Sequence, residues 1–313
     1  MKKETIASLS GLLQRIEAGD VEKPDTAELE GYSGAKLISS LQRMTEMVCD
    51  ERNIYLEVGV FRGLTLLSTA RHNSRVACFG IDNFSLFDEK GENLGFIEQK
   101  KKDWHLSNAT VINRDYEEAL LALGSHTGGR KVGVYFVDGP HDYRSHLLFL
   151  LLALPHLAED CVICVDDANY PHVRQATIDF LKIHPDFALL AEAYTDRHVA
   201  NMTEEEKEVP IQGWWDGVNI IVCDRERTIP RRYPQEDHKE FHYQTHDIMR
   251  NELASKAFEV LKLAQELKED RKDEETVSEL RSLIRDLRRE NPGLYRHQNT
   301  YSEKLRAFAL HTL

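Results

Sequence analysis

Three aspartates stand where two predicted strands end. Residues 134–137 lead directly into Asp138, and residues 162–165 lead into Asp166 and Asp167. Short runs of β-branched and apolar residues predict buried strands, and the carboxyl ends of neighbouring parallel strands lie at the edge of an open sheet where ligands bind. Three carboxylates close together need a cation, a proton or hydrogen bonds to offset their repulsion. The pattern therefore predicts a site for a hard divalent metal ion.

His141 lies three residues after the first of these aspartates. A metal ion that binds a hydroxyl group lowers the pKa of that hydroxyl, and a nearby imidazole can remove its proton at neutral pH. The spacing therefore makes His141 a candidate general base. Taken alone, the same histidine is equally well explained as a structural residue of a loop.

A glycine turn follows the first predicted strand. Glu57, Gly59 and Gly63 precede a predicted helix, and Asp82 ends the second predicted strand. Glycines let the backbone pass close to a ligand, Glu57 suits a cationic ligand, and Asp82 is placed to accept hydrogen bonds from ribose hydroxyls. The turn lacks the glycine spacing of nicotinamide dehydrogenases and the lysine of a phosphate-binding loop, which disfavours both classes. A glycine turn alone is also explained as a tight connection.

The elements that must position these residues alternate between strand and helix, which predicts an α/β fold with a parallel sheet covered on both faces. The polar segment 84–102 shows no clear element. No clear helix precedes the last strand, which predicts an antiparallel partner for strand six. The predicted strands are 54–58, 76–81, 109–112, 132–137, 161–165, 187–193 and 217–223, with helices at 143–157 and 173–183 between the later ones.

The pattern divides the chain into a helical cap at 1–53, a central domain at 54–224 and a charged linker with a helical extension at 225–313. Residues 245–290 have a helical pattern, and a short final helix is predicted at 303–310. The steps between Val277, Leu280, Ile284 and Leu287 resemble a heptad fragment. This extension either docks on the central domain or packs against a second subunit, and we favour a homo-oligomer.

The long charged loop at 194–216 is either a lid over the site or a solvated surface excursion. Trp214 and Trp215 within this loop are explained best as aromatic core packing. The alternative is that they line a pocket for an acceptor substrate. Cys161 and Cys164 form a CxxC pattern, but positions three apart point to opposite faces of a strand. We therefore interpret these cysteines as small buried hydrophobic residues.

Composition limits the classes of partner. The chain has 313 residues and a net charge of −13, which argues against nucleic acid or an anionic membrane as the main partner. No run approaches the roughly 18 apolar residues of a membrane span, and the N-terminus lacks the apolar core of a signal peptide. The expected location is cytoplasmic.

Together, these motifs resemble those of class I S-adenosylmethionine-dependent methyltransferases over residues 54–223. The closer similarity is to the metal-dependent O-methyltransferases, which include catechol O-methyltransferase and the macrocin and mycinamicin sugar enzymes. The resemblance implies a Rossmann-like sheet of seven strands, the last one antiparallel. The helical N- and C-terminal extensions, predicted from the sequence pattern, lie outside the resemblance. The residues that carry it are Glu57, Gly59, Phe61, Gly63, Thr65, Asp82, Asp115, Asp138, His141, Tyr143, Asp166 and Asp167.

The resemblance also implies roles for these residues. Asp138, Asp166 and Asp167 would hold Mg²⁺ or a similar divalent cation, and His141 would be the general base. Glu57 and Gly59 would approach the methionine part of S-adenosylmethionine, and the other residues assigned to this cofactor are Phe61, Gly63, Thr65, Asp82, Asn83, Asp115, Tyr116 and Asp138. Among them, Asp82 would bind the ribose, while Asp115 and Tyr116 would flank the adenine.

The expected function is methyl transfer to a hydroxyl group of a sugar or another small-molecule acceptor. A methyltransferase-fold protein with altered or metal-independent chemistry, such as the cephalosporin-hydroxylase-like proteins, is the first alternative. A non-catalytic cofactor-binding scaffold that acts through its helical tail is the second. The complete set of carboxylates argues against the scaffold, because a site that has lost its activity has no physical reason to keep three mutually repelling acids.

Overall fold

The central sheet explains how the chain positions its carboxylates. The structure, a computed structural model, describes residues 1–196, 198–235, 260, 263, 274–290 and 305–307. The strands are β1 (Asn53–Val58), β2 (Cys78–Ile81), β3 (Ala109–Ile112), β4 (Lys131–Val137), β5 (Leu157–Asp166), β6 (Phe187–Ala193), β7 (Val218–Cys223) and β8 (Arg306–Ala307).

The strand order is β3-β2-β1-β4-β5-β7-β6-β8. Strands β1 to β5 pair in parallel, whereas β7 runs antiparallel to both β5 and β6. The predicted seven-stranded Rossmann-like sheet with an antiparallel last strand is confirmed. The direction of the strand order reverses beside β1, between β2 and β4, and ligands bind at such a switch point in open α/β sheets.

Helices cover both faces of the sheet and bury two apolar clusters. One cluster packs α1, α2 and α3 on the first face, and the other packs α5, α7 and α8 on the second. All five cysteines are buried and free. The helices are α1 (Lys3–Ala18), α2 (Ala35–Val48), α3 (Leu64–His72), α4 (Asn93–Asp103), α5 (Tyr116–Leu121), α6 (Leu123–Thr127), α7 (Tyr143–Ala153), α8 (Pro171–Ile183), α9 (Glu208–Gln212) and α10 (Glu274–Glu290).

The predicted elements differ most from the structure in two places. Segment 84–102, expected to lack a regular element, contains α4, whose only buried side chains are Asn93 and Ile97. A helix with so few buried positions gives no apolar periodicity to detect. The helix predicted at 143–157 ends at Ala153, a short 3₁₀ turn at Leu154–His156 follows, and β5 begins at Leu157, because a continuous apolar run does not distinguish helix from strand.

The eighth strand contradicts the helix predicted at 303–310. Arg306 and Ala307 pair antiparallel with Glu192 and Ala191 of β6. Without them β6 would be the edge of the sheet, with a row of unpaired backbone groups. Arg306 also lies 3.4 Å from Oε1 of Glu192, as an ion pair.

The predicted C-terminal helix is confirmed at α10, where the heptad-like residues lie. Residues 236–259, most of 261–273 and 291–304 lie outside the described part, so most of the helical pattern predicted at 245–273 does too. The subunit contact and the domain boundaries remain predictions. Within the described part, no helix is both long and apolar enough to cross a bilayer.

Candidate active site

Strand register brings the predicted carboxylates to one edge of the sheet. Val137 of β4 pairs with Val165 of β5, so the next residues, Asp138 just after β4 and Asp166 at the end of β5, lie side by side at this edge. Val58 of β1 pairs with Val137 on the other side, which places the glycine turn next to Asp138. The parallel pairing of β1, β4 and β5 thus brings the glycine turn next to the predicted carboxylates.

Ligand atoms of Asp138, His141 and Asp167 all lie within 4.8 Å of one another. Nε2 of His141 lies 2.7 Å from Oδ2 of Asp167. Asp166 is not in this group, although it is only 1% exposed. Its Oδ1 is buried without a hydrogen-bond partner among the described residues, which leaves one carboxylate oxygen available beside the group.

The carboxylates of this edge repel one another. Burial raises the pKa of Asp138 well above its usual range and the charge of Asp167 raises it further, while His141 opposes the rise. Burial also raises the pKa of Asp166, as do the charges of Asp138 and Asp167. A divalent cation would lower both of these pKa values, because it stabilises the ionised form of each carboxylate. Oxygen donors of this kind match the preference of Mg²⁺.

His141 is partly exposed, and its ring centroid lies 4.8 Å from that of Tyr170. Burial lowers the pKa of His141, but the charge and hydrogen bond of Asp167 outweigh it and raise the pKa to about 9. When Asp167 shares its charge with a cation, this effect weakens and the imidazole returns towards its ordinary range. The pair can therefore hold a proton or release one.

The glycine turn lies against the loop that carries Asp138. Gly59 has a φ of +89°, and a Cβ there would overlap the backbone carbonyl of Asp138. Oδ2 of Asp82 accepts hydrogen bonds from the backbone N–H groups of Val60 at 2.8 Å and Phe61 at 2.9 Å. Asp82 thus fixes the turn, and its carboxylate oxygens keep lone pairs for further donors.

Glu57 is fully buried at the end of β1. The hydroxyl of Tyr55 donates a 2.6 Å hydrogen bond to Oε2 of Glu57, whereas Oε1 has no hydrogen-bond partner among the described residues. Burial raises the pKa of Glu57 to about 8, against the opposing hydrogen bond of Tyr55. A buried acid with an unpartnered oxygen is suited to a cationic group such as an ammonium.

The remaining cofactor candidates make local contacts. Gly63 precedes α3 with a φ of +82°, and Thr65 is buried in the first turn of that helix. The exposed Asn83 accepts a hydrogen bond from the N–H of Ser85.

The two residues predicted to flank the adenine lie at the start of α5. Asp115 accepts a 2.9 Å hydrogen bond from the N–H of Glu117 as the N-cap of α5. The half-buried Tyr116 stacks edge-on against Phe149 at 4.4 Å. These contacts leave the proposed ligand roles as predictions.

Asp216 is a site residue that sequence reasoning missed. It is fully buried, and its charge raises the pKa of both His141 and Asp166. Asp216 comes just before β7, and an antiparallel strand starts at the edge where its parallel neighbours end. The predicted antiparallel direction of this strand was the signal that could have found it.

The segment 194–216 contains a 3₁₀ turn at Val199–Asn201 and α9, and its residues line a cavity of about 420 Å³. Trp214 is 2% exposed and donates from Nε1 to Oε2 of Glu17 at 2.8 Å, as expected for core packing. The ring of Trp215, by contrast, is only half-buried and lies 6.0 Å from that of Tyr32.

Residues 56–168 match a family model described as a methyltransferase domain. The matched span contains the glycine turn, His141 and all three predicted metal ligands. No curated protein matches the chain in sequence.

Three solved structures are similar to the chain at low sequence identity. An O-methyltransferase from Bacillus cereus in complex with SAH has 14% identity, a TM-score of 0.45 and coverage of 72% of this chain and 92% of that chain. TomG, an O-methyltransferase from Streptomyces achromogenes involved in tomaymycin synthesis, was solved in complex with SAM. It has 14% identity and a TM-score of 0.44, and the match covers 72% of this chain and 91% of TomG. CalS11, a TDP-rhamnose 3'-O-methyltransferase of calicheamicin biosynthesis, has 15% identity and a TM-score of 0.40, and the match covers 56% of this chain and 85% of CalS11. The strand order carries the fold assignment independently of these similarities.

Proposed function

We propose that this methyltransferase-domain protein transfers the methyl group of S-adenosylmethionine to a hydroxyl oxygen of a small-molecule acceptor, with the help of a divalent cation. The observation that carries the proposal is the group formed by Asp138, His141 and Asp167 within 4.8 Å. This group lies beside a glycine turn at the switch point of the sheet, inside the matched domain. A sugar or another hydroxylated small molecule is the acceptor class that we propose.

The proposed cation ligands are Asp138, Asp166 and Asp167. The raised pKa values of Asp138 and Asp166 and the unpartnered Oδ1 of Asp166 call for a positive charge, and Asp167 lies within 4.8 Å of Asp138. Mg²⁺ prefers such oxygen donors and keeps water or substrate oxygens in its remaining positions. When bound, the cation would lower the pKa of an acceptor hydroxyl and orient it.

His141 supplies the proton acceptor in this proposal. Nε2 donates to Asp167, so Nδ1 takes the proton of the acceptor hydroxyl, and Asp167 stabilises the imidazolium that results. The hydroxyl oxygen then forms a bond to the methyl carbon as the carbon–sulfur bond breaks, and the electron pair of that bond stays on sulfur. The products are a methyl ether, S-adenosylhomocysteine and a proton on His141.

The cofactor in this proposal lies along the glycine turn. The unpartnered Oε1 of Glu57 accepts a hydrogen bond from the ammonium of the methionine part. Asp82, which is hydrogen-bonded to the backbone of the turn, accepts hydrogen bonds from the ribose hydroxyls. Asp115 and Tyr116, at the end of β3, flank the adenine.

Aromatic rings border the proposed acceptor side. Tyr32 and Phe61 stack with their ring centroids 5.3 Å apart, and Trp215 adjoins them next to Asp216. Rings with exposed faces provide apolar contact for the carbon skeleton of an acceptor, while the carboxylate edge supplies the polar contacts.

One experiment separates the alternatives. Calorimetric titration with S-adenosylmethionine tests cofactor binding, and a methyl-transfer screen over hydroxylated acceptors, with and without EDTA, tests the chemistry. We expect binding, and transfer that EDTA abolishes and Mg²⁺ restores. Transfer that EDTA leaves intact would favour the metal-independent alternative, cofactor binding without transfer would favour the scaffold, and no binding at millimolar cofactor would refute the proposal.

A further inference from the structure

Asn169 forms a buried polar centre three residues after Asp166. The side chain is 2% exposed, and its Nδ2 lies within 3.0 Å of Oδ1 of Asp216, the backbone carbonyl of Thr195 and Oγ1 of Thr195. The N–H of Thr195 donates to Oδ1 of Asn169 at 3.2 Å. We name this trio, Asn169, Thr195 and Asp216, the Asn169 clamp.

The clamp holds the turn that carries two proposed metal ligands. Asp167 has a φ of +53°, a left-handed conformation that is uncommon outside glycine and needs support from its surroundings. The following N–H groups supply that support, because Ala168 donates to the carbonyl of Gly217 at 3.2 Å and Asn169 to that of Asp216 at 3.0 Å. A Cβ on Gly217 would lie 2.5 Å from Oδ1 of Asn169, so glycine permits the close approach.

Arg174 completes the support from the opposite side. This buried guanidinium donates from Nη1 to the backbone carbonyls of Ala168 and Asn169, both at 2.7 Å. The N–H and C=O groups of Ala168 and Asn169 are therefore all hydrogen-bonded. Such a turn has few alternative conformations while the clamp is intact.

Thr195 and Asp216 also define the two ends of the 194–216 segment. Thr195 follows β6, and Asp216 precedes β7. A single side chain, that of Asn169, thus ties both ends of the segment to the metal-ligand turn. Thr195 in addition lines the cavity of about 420 Å³ described above.

We propose that Asn169 is a positioning residue that fixes the carboxylates of Asp166 and Asp167 for a divalent cation and couples them to the 194–216 segment. The inference rests on the proposed metal site. Side chains that orient metal ligands commonly change metal affinity about 10–100-fold when they are removed. Because linkage is reciprocal, cation binding also tightens the base of the 194–216 segment.

The test measures cation binding without turnover. Mn²⁺ is titrated into the purified full chain, and electron paramagnetic resonance reports the free ion. We expect Asn169→Ala to weaken Mn²⁺ affinity about 10-fold or more and to leave S-adenosylmethionine affinity unchanged. We also expect Mn²⁺ to slow hydrogen exchange in residues 194–216 of the unmodified protein and not in the variant.

Asn108 provides the matched control. Its Nδ2 contacts three backbone carbonyls, those of Ala70, Asn73 and Val76, at 2.9–3.0 Å, but it precedes β3 at the opposite edge of the sheet. Asn108→Ala loses a comparable set of hydrogen bonds and should leave Mn²⁺ affinity unchanged. Where Asn169→Ala does not fold, Thr195→Val removes one acceptor at similar volume and should still weaken Mn²⁺ binding.

The outcomes distinguish the clamp from the metal site itself. If the unmodified protein binds Mn²⁺ and the folded Asn169→Ala or Thr195→Val variant binds it equally tightly, the clamp is refuted and the metal site stands. An unmodified protein that binds no Mn²⁺ refutes the metal site, and the role of the clamp with it. Equal weakening in the Asn108→Ala control also overturns the clamp, because the effect would then be one of general stability.

Discussion

Nε2 of His141 and Oδ2 of Asp167 lie 2.7 Å apart, although their residues follow different strands. This pair connects the loop after β4 with the turn after β5, and it joins the proposed base to a proposed metal ligand. A carboxylate that orients an imidazole also stabilises the imidazolium that forms when the ring accepts a proton. The pair is therefore the central contact of the candidate active site.

The first prediction concerns this imidazole. His141→Ala should lower the methyl-transfer rate by about 10²–10⁴-fold, because proton removal then falls to water. Affinity for S-adenosylmethionine should stay the same, since the proposed role of His141 is towards the acceptor hydroxyl and not towards the cofactor. His126, on α6 before β4, provides the control, and His126→Ala should leave the rate unchanged. Full activity in His141→Ala would refute the role of a base.

A second prediction concerns the protonation of Glu57. With a pKa raised by burial to about 8, Glu57 is mostly neutral at pH 7 in the free protein. An ammonium bound at Oε1 favours the ionised form, so cofactor binding should release close to one proton at pH 7. Calorimetry in buffers of different ionisation enthalpy measures this release. Glu57→Gln should bind more weakly and release none, and binding enthalpies that do not depend on the buffer would contradict the prediction.

Acid stability should depend on His146, a fully buried histidine of α7. Neither ring nitrogen has a hydrogen-bond partner among the described residues, and burial lowers its pKa from 6.5 to about 3, with His141 adding to the decrease against Asp167 and Asp142. The unfolded chain therefore binds a proton below pH 6.5 that the folded protein does not.

Stability should fall as the pH drops from 6.5 towards 3, by up to about 1.4 kcal/mol for each pH unit. His146→Phe removes this dependence and retains an aromatic ring beside Phe149, whose centroid lies 5.5 Å from that of His146. Denaturant unfolding at several pH values compares the two proteins. Identical slopes between pH 6.5 and 4.5 would exclude His146 as the source.

The contact between the glycine turn and Asp138 gives a further prediction. Gly59→Ala should destabilise the fold by about 2–4 kcal/mol, because the added Cβ overlaps a backbone carbonyl and the φ is positive. Gly19→Ala is the control, since Gly19 has a φ of +79° with open space around it and should cost only about 1 kcal/mol. Equal losses in the two variants, measured by urea unfolding, would assign the effect to φ alone.

Much of the fold follows from local pattern. The alternation of apolar strands and amphipathic helices predicts the parallel sheet, and the bounds of β3 and β6 agree with the structure to the residue. Helices without a row of buried apolar residues, such as α4, are not predicted by this pattern. The pairing of β8 with β6 does so too, because the partners lie more than a hundred residues apart in the chain.

The sequence by itself determined which acids end the strands, since a carboxylate after a buried apolar run must leave the sheet at its carboxyl edge. Asp138, Asp166 and Asp167 were predictable for that reason. Only the tertiary structure decided their partners: the pairing of His141 with Asp167, the burial of Asp216 and the contacts of Asn169. These contacts depend on strand order and on the antiparallel direction of β7, which bring together residues that no local periodicity relates.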